Sequence, residues 1–217
     1  MKQFNERRLL IHQELNRIPQ FKSELPEEVT LVAVSKTKPN EDLQEAYDAG
    51  QRIFGENKIQ EMTDKWEALP KDIQWHMIGH VQTNKVKFAV KIFDYIHSLD
   101  NEKLAKKIAE EQIKQNLKPK IFIQVNLGNE SQKSGILKEN LLDFYNFSKN
   151  LDLNIIGIMC IPPFNEDSTK YFSQMSELNE LINLKELSMG MSSDYLNAIE
   201  HKSTYLRIGS NIFGQRG

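Results

Sequence analysis

Cysteine and net charge are both scarce in this sequence, and each scarcity excludes a class of protein. Cys160 is the only cysteine, so an intrachain disulfide is excluded and a reducing compartment, the cytoplasm, is predicted. It lies within the apolar run 155–161, where we expect a small buried hydrophobic residue rather than a nucleophile. The formal net charge of -2 provides no electrostatic basis for binding nucleic acid or an anionic membrane surface.

Long apolar segments are also missing. No run approaches the roughly 18 residues that suggest a membrane span, and residues 1–8 lack the apolar core of a signal peptide. The composition is that of an ordinary soluble globular protein, and 217 residues are enough for one sizeable core. We therefore expect a single domain over residues 1–217 with no part inside a membrane.

The chain alternates short β-rich runs with longer amphipathic segments. An opening helix is predicted over about residues 5–17, ending before Pro19. Eight predicted strands follow, at residues 29–35, 52–54, 74–78, 95–97, 120–125, 155–159, 186–188 and 205–208. Each strand except the last is followed by a predicted helix, at residues 41–49, 58–69, 84–90, 102–116, 138–149, 168–184 and 194–201.

Strict alternation of strand and helix predicts a parallel sheet, and eight such units predict a closed (β/α)8 TIM barrel with an extra N-terminal helix. An open, doubly wound sheet is the alternative. In such barrels the active site lies at the carboxyl ends of the strands and in the loops that follow them. Polar residues and glycines of this sequence collect at those positions, so we expect the functional site there.

Lys36 directly follows the first predicted strand. A lysine there is usually a solvated strand end whose stem covers apolar surface. Alternatively, desolvation at the mouth of a core lowers the pKa of an amine, and an unprotonated amine can condense with an aldehyde. The far end of the chain favours the second interpretation, because residues 207–214 (RIGSNIFG) have the pattern of a phosphate-binding loop. A Schiff-base lysine and a phosphate-binding loop together suggest pyridoxal phosphate (PLP).

The candidate phosphate site combines two loops. Gly209 and Ser210 follow the last strand, where glycine permits close approach of a phosphate, although a simple glycine turn is the common alternative. Ser192 offers a hydroxyl from the loop after strand seven. With Ser193 and Asp194 it also fits the N-cap of the next helix, and both roles can hold.

Arg207 lies within the last predicted strand, where an unpaired buried guanidinium would be costly. One interpretation is a buried ion pair with Glu56 or Asp194. The other is a hydrogen bond to the pyridine nitrogen of PLP, where an arginine disfavours protonation of the ring because it keeps its own proton. Asn57, after strand two, could position an amide near the phenolic oxygen of the cofactor.

His76 and His80 are four residues apart, a spacing that metal sites use on helices. Because His76 lies in a predicted strand and His80 follows Gly79, the two do not share a helical turn. We expect no metal here, and a wall or hydrogen-bonding role for His76.

Five motifs occur in the order and at the spacing of one known family. They are residues 34–39 (VSKTKP), 54–57 (FGEN), 75–80 (WHMIGH), 188–192 (SMGMS) and 207–214 (RIGSNIFG). Through them the chain closely resembles, over essentially its whole length, the pyridoxal phosphate homeostasis proteins. Members of that family look like the barrel domain of bacterial alanine racemase without its second domain.

The resemblance implies a PLP-binding barrel whose site can be assigned by position. Lys36 would carry the cofactor as a Schiff base, Arg207 would face the pyridine nitrogen and Asn57 would lie beside the ring. The phosphate would be held by Ser192, Gly209 and Ser210.

Two classes of function are compatible with such a site. The first is a carrier that takes part in intracellular PLP homeostasis and releases the cofactor to PLP-dependent apoenzymes. The second is an amino-acid racemase, which needs acid–base groups on both faces of its substrate. In alanine racemase the second base comes from an extra domain, whereas eight βα units take up this chain. We therefore expect a carrier; an aldolase-type barrel enzyme acting on a sugar phosphate through Lys36 is a remoter alternative.

Overall fold

The computed structural model describes residues 13, 15, 17–130 and 134–214. Eight parallel strands form a closed barrel in sequence order, and the last strand pairs with the first. The strands are β1 Thr30–Val34, β2 Ile53–Glu56, β3 Gln74–Met77, β4 Tyr95–Leu99, β5 Lys120–Gln124, β6 Asn154–Met159, β7 Glu186–Ser188 and β8 Tyr205–Ile208. The closed barrel confirms the predicted (β/α)8 fold, and the open-sheet alternative is wrong.

A helix follows every strand. The described helices are α1 Ile18–Ser23, α2 Asn40–Asp48, α3 Met62–Ala68, α4 Val86–Ile92, α5 Glu102–Gln115, α6 Leu141–Asn150, α7 Thr169–Leu181, α8 Tyr195–Glu200 and α9 Ser210–Phe213. Short 3-10 turns at Ile59–Glu61, Thr83–Lys85 and Lys138–Asn140 lead into α3, α4 and α6. Within the described ranges, no helix is both long and apolar enough to cross a lipid bilayer.

Some predicted boundaries differ from the observed ones. The second strand extends to Glu56, so Gly55 and Glu56 belong to β2 rather than to the loop after it. The four-residue helix α9 follows β8, although the sequence pattern predicts no helix there, because four residues are too few to show a helical period. Most of the predicted opening helix lies outside the described residues. Pro19 occupies the first turn of α1, where its missing N–H needs no partner.

The barrel interior is filled by side chains from five different strands. They are Val32, Tyr95, Phe122, Met159 and Tyr205. A second and larger cluster packs the outer face of the barrel against the helices. Because both faces of the strands are buried, β1, β5 and β6 appear in the sequence as nearly continuous apolar runs.

Alternation along β1 determines where its polar end residues point. Val32 faces the interior, so Val34 and Lys36 lie on the same side towards the open end of the barrel, while Ser35 points outwards. There Glu56 Oε1 accepts hydrogen bonds from Ser35 Oγ and from Lys65 Nζ, both at 2.6 Å. Lys65 Nζ also donates to the Ser35 carbonyl at 3.0 Å. These contacts, the Glu56–Lys65 clamp, hold the residue before Lys36 against α3.

The clamp is an ion pair removed from water. The side chains of Lys65 and Glu56 are only 7% and 0% exposed. Burial raises the pKa of Glu56, and the neighbouring Lys65 charge and hydrogen bonds oppose that rise. Since desolvation is the larger effect, Glu56 depends on its cation to remain ionised in this position.

We predict that Lys65→Met destabilises the fold by about 3–5 kcal/mol at neutral pH, because it leaves a buried carboxylate without its cation. Glu56 has a raised pKa in the folded state, so the loss should shrink as the pH falls towards the ordinary Glu value of 4.5. Urea unfolding at several pH values measures both effects.

Two variants control this experiment. Lys58→Met removes a lysine that is 70% exposed and 3.9 Å from Glu61, and should change stability by less than about 1 kcal/mol. Glu56→Leu combined with Lys65→Met removes both charges and should regain most of the lost stability. A double variant no more stable than Lys65→Met alone would contradict the electrostatic explanation.

Candidate functional site

A cavity of about 640 Å³ opens at the carboxyl ends of the strands. All six residues predicted for the site line it. They are Lys36, Asn57, Ser192, Arg207, Gly209 and Ser210. The six positions come from four different strand ends, so the barrel brings together residues that are far apart in the chain.

Lys36 extends the inward-facing row of β1 to the cavity wall and is half-buried. The next residue, Thr37, has a φ of 63°, in the left-handed region that β-branched residues rarely adopt. Its backbone N–H donates to Glu61 Oε2 at 3.1 Å, which holds the turn against the 3-10 turn before α3. The chain is therefore strained directly after Lys36, and backbone strain of this kind clusters at functional sites.

Arg207 forms part of the cavity floor and is only 4% exposed. Its Nη1 donates to Ser188 Oγ at 2.6 Å and its Nη2 donates to the Cys160 carbonyl at 2.8 Å. Burial lowers the pKa of the guanidinium, and the Asp194 carboxylate acts in the opposite direction. The alternative ion pair with Glu56 is wrong, because Glu56 lies outside the barrel wall with Lys65.

The loops after β7 and β8 meet at the predicted phosphate site. The Gly209 N–H donates to Ser192 Oγ at 3.4 Å, and the Arg207 N–H donates to the Gly190 carbonyl at 3.0 Å. Gly190 has a φ of 96°, and a Cβ there would lie 2.6 Å from that of Ala198, so this turn requires glycine.

The predicted N-cap is only partly correct. Asp194 does occupy the N-cap position of α8, but its side chain makes no capping hydrogen bond. Asp194 Oδ1 accepts from the Met191 N–H at 2.7 Å, and so stabilises the loop rather than the helix end. Ser192 therefore keeps its hydroxyl at the cavity.

Asn57 is placed by a close approach of two backbones. A Cβ at Gly79 would lie 2.3 Å from the Asn57 carbonyl oxygen, so only glycine allows the loop after β3 to pack this close to the loop after β2. Ser98 Oγ donates to the Gly79 carbonyl at 2.6 Å and holds that loop in turn. Asn57 itself is half-buried at the cavity wall.

Sequence reasoning missed three further residues at the cavity. Lys38 lines it and donates to the Phe213 carbonyl at 2.8 Å, which links the loop after β1 to α9. Ile161 and Phe164, in the loop after β6, also line it, and Phe164 is 90% exposed. Lys38 stands in the VSKTKP motif, which could have indicated it, whereas nothing in the sequence pattern points to Phe164.

The histidines separate as the strand prediction implies. His76 is fully buried inside the barrel and hydrogen-bonds His97, which confirms its hydrogen-bonding role. The side chain of His80 is 53% exposed and lies 3.7 Å from Asp100. Cys160 is buried, as predicted, and burial raises the pKa of its thiol to about 12.

The barrel matches a known class of fold. Residues 15–217 match the family model described as "Alanine racemase, N-terminal domain". Alanine racemase from E. faecalis has the same fold with a TM-score of 0.72 at 16% identity. That match covers 95% of this chain and 58% of the racemase chain.

More similar relatives are found across most of the chain. A pyridoxal phosphate homeostasis protein from Aquifex aeolicus is 40% identical over 197 residues, covering 86% of each chain. One from Synechocystis is 41% identical and covers 88% of this chain and 94% of its own. PipY of Synechococcus elongatus, solved with PLP bound, is 35% identical with a TM-score of 0.86, covering 93% of this chain and 100% of that one. The chain therefore belongs to the family of pyridoxal phosphate homeostasis proteins.

Proposed function

We propose that this chain binds PLP as a Schiff base on Lys36 and carries it, without strong catalytic activity, as part of PLP homeostasis. The observation that carries the proposal is the single cavity lined by all six predicted residues. The PLP-bound relative, PipY, supports the same ligand.

The residues at the cavity fit the chemistry of PLP. Its volume of about 640 Å³ is within the usual range for a small-ligand site. A phosphate could accept hydrogen bonds from the hydroxyls of Ser192 and Ser210 and from the Gly209 N–H. The hydrogen bond from Gly209 N–H to Ser192 Oγ is long, at 3.4 Å, so bonds to a phosphate could replace it. Arg207 has five N–H donors, so its bonds to Ser188 and the Cys160 carbonyl leave others for a ring nitrogen.

The covalent attachment is a simple condensation. Lys36 would hold PLP through its side-chain amine, as a Schiff base whose formation releases one water and needs no change of oxidation state. PLP supplies the aldehyde and a ring that can delocalise charge, while the protein sets the orientation and electrostatics. Hydrolysis reverses the attachment, which permits release to an acceptor apoenzyme.

The racemase alternative lacks a second acid–base group. Racemisation needs one on each face of the substrate carbon. Among the described residues that line the cavity, only Lys36 and Lys38 have amines, and no histidine, tyrosine or carboxylate is present. Lys38 donates a hydrogen bond to the Phe213 carbonyl, and this contact holds its amine in place, so it does not suit the role of a mobile base. This favours the carrier.

Two broader expectations remain proposals. We propose that the chain acts as one domain, because the eight βα units close one barrel. A cytoplasmic location remains a prediction that rests on the single cysteine.

We predict that Lys36→Ala abolishes the visible Schiff-base absorbance while the protein remains folded. Borohydride reduction followed by peptide mass mapping should place the cofactor on Lys36 in the unmodified protein. Lys38→Ala, which removes the other lysine of the cavity, is the matched control and should keep the absorbance. Trapping on another lysine with Lys36 unmodified would refute the assignment, and absence of any absorbance would favour the sugar-phosphate alternative.

We predict that pyridoxal without its phosphate binds at least about a hundredfold more weakly than PLP. Two charge-assisted hydrogen bonds of about 1.5–3 kcal/mol each account for a difference of that size. Ser192→Ala should weaken PLP binding but leave pyridoxal binding nearly unchanged, as measured by equilibrium titration. Equal affinity for the two ligands would remove the phosphate site from the proposal.

We predict release of the cofactor without turnover. Holoprotein incubated with single-enantiomer alanine should leave its optical purity unchanged on chiral chromatography, yet reactivate a PLP-dependent apoenzyme. The rate of spontaneous PLP dissociation, measured separately, shows whether delivery is faster than simple release. Sustained racemisation that disappears in Lys36→Ala would establish the racemase instead.

A further inference from the structure

A chain of hydrogen bonds runs from the cavity floor into the barrel interior. Arg207 Nη1 donates to Ser188 Oγ at 2.6 Å. Ser188 Oγ lies 2.7 Å from His97 Nδ1. His97 Nε2 lies 2.9 Å from His76 Nδ1. We call Ser188, His97 and His76, which are all fully buried, the interior relay.

The donors and acceptors determine the direction of every bond in the relay. A guanidinium can only donate, so Ser188 Oγ accepts from Arg207. Because Ser188 Oγ has only Arg207 and His97 as hydrogen-bond partners among the described residues, its proton finds an acceptor only if His97 Nδ1 accepts it, and we therefore assign the His97 proton to Nε2. That N–H donates to His76 Nδ1, so His76 also carries its proton on Nε2.

The relay ends at His76, inside the barrel. His76 Nε2 is buried and has no hydrogen-bond partner among the described residues. The His76 ring stacks on Tyr95, with centroids 4.0 Å apart and planes inclined by 13°. The His97 ring stacks on Phe122 at 4.4 Å. These aromatic contacts fix the orientation of both rings.

Both histidines are held neutral by their surroundings. Burial, with a smaller contribution from the Lys120 charge, lowers the pKa of His76 to about 3. Burial also lowers the pKa of His97, aided by His76 and Arg207. The two groups that accept hydrogen bonds from the guanidinium are also neutral. They are the Ser188 hydroxyl and the Cys160 carbonyl.

We propose that Ser188, His97 and His76 are positioning residues that hold the Arg207 guanidinium in one orientation and leave its charge directed at the cavity. This inference rests on the proposed function, in which Arg207 faces the ring nitrogen of PLP. A carboxylate partner would hold the guanidinium equally well but would neutralise its charge. The relay instead orients Arg207 through the Ser188 hydroxyl, which accepts a hydrogen bond and does not neutralise the positive charge.

The first test uses the cofactor-free protein. Long-range 1H–15N NMR of histidine-labelled protein should show His76 and His97 as the neutral Nε2–H tautomer from about pH 5 to about pH 8. An Nδ1–H tautomer at either histidine, or protonation of either within that range, would overturn the relay. The Arg207 guanidinium protons should exchange slowly, and faster in His97→Phe.

The second test measures PLP affinity and the absorbance of bound PLP in variants. His97→Phe keeps an aromatic ring but removes the acceptor, and should weaken binding about tenfold and shift the absorbance maximum. His97→Asn restores an acceptor near the position of Nδ1 and should recover most of both. Ser188→Ala should resemble His97→Phe, and the double variant should be no worse than either.

The outcomes separate this inference from the proposed function. Unchanged affinity and absorbance in both His97→Phe and Ser188→Ala would overturn the positioning role. His201→Phe, outside the barrel, is the control and should have no effect. If the unmodified protein binds no PLP, the proposed function fails, while the tautomers and the Arg207 proton exchange still decide for or against the relay. The same two measurements decide it if a variant does not fold.

Discussion

Pairing of the first strand with the last is the constraint on which the site depends. Val32 of β1 lies opposite Arg207 of β8, and Ala33 lies opposite Ile208. This register places Lys36, just beyond one strand, near Gly209 and Ser210, just beyond the other. An open sheet would leave β1 and β8 apart, so the cavity exists only because the barrel closes.

Because side chains alternate across the barrel wall, the Glu56–Lys65 ion pair lies on the outer side of the wall and Arg207 on the inner side. Gly55 faces inwards, since a Cβ there would contact Val32 and Ile78, and its neighbour Glu56 therefore faces outwards to Lys65. The carboxylate and its cation thus lie behind the wall, where they hold the end of β1. Inside, the hydrogen-bond partners of Arg207 are neutral groups. Of the two buried cations, Lys65 is therefore neutralised by Glu56, whereas the hydrogen-bond partners of Arg207 leave its charge in place.

The parts of the molecule that follow from periodicity were predictable, and those that depend on register were not. Alternating strands and helices give the barrel, and the motif spacing identifies the six cavity residues. The partners of Arg207 depend on the register of β7 beside β8, so the sequence suggested a carboxylate, Glu56 or Asp194, rather than Ser188. His97 lies two residues after Tyr95 on the inward face of β4 and within the predicted strand 95–97, but its contact with Ser188 depends on how β4 and β7 meet inside the barrel. Contacts between loops, such as that of Lys38 with Phe213, have no periodicity at all.

The same features that suit the cavity to holding PLP explain why it should do little else. At the proposed site the polar groups would contact the phosphate and the ring nitrogen of PLP, where no bonds are made or broken during a reaction. Binding energy that is equal in ground and transition states tightens binding without accelerating chemistry. Among the described residues of the lining, the only amine besides Lys36 is that of Lys38, which the Phe213 carbonyl holds, and the guanidinium on the floor has neutral hydrogen-bond partners. A site built in this way suits the proposed carrier, which would retain a reactive aldehyde and return it unchanged.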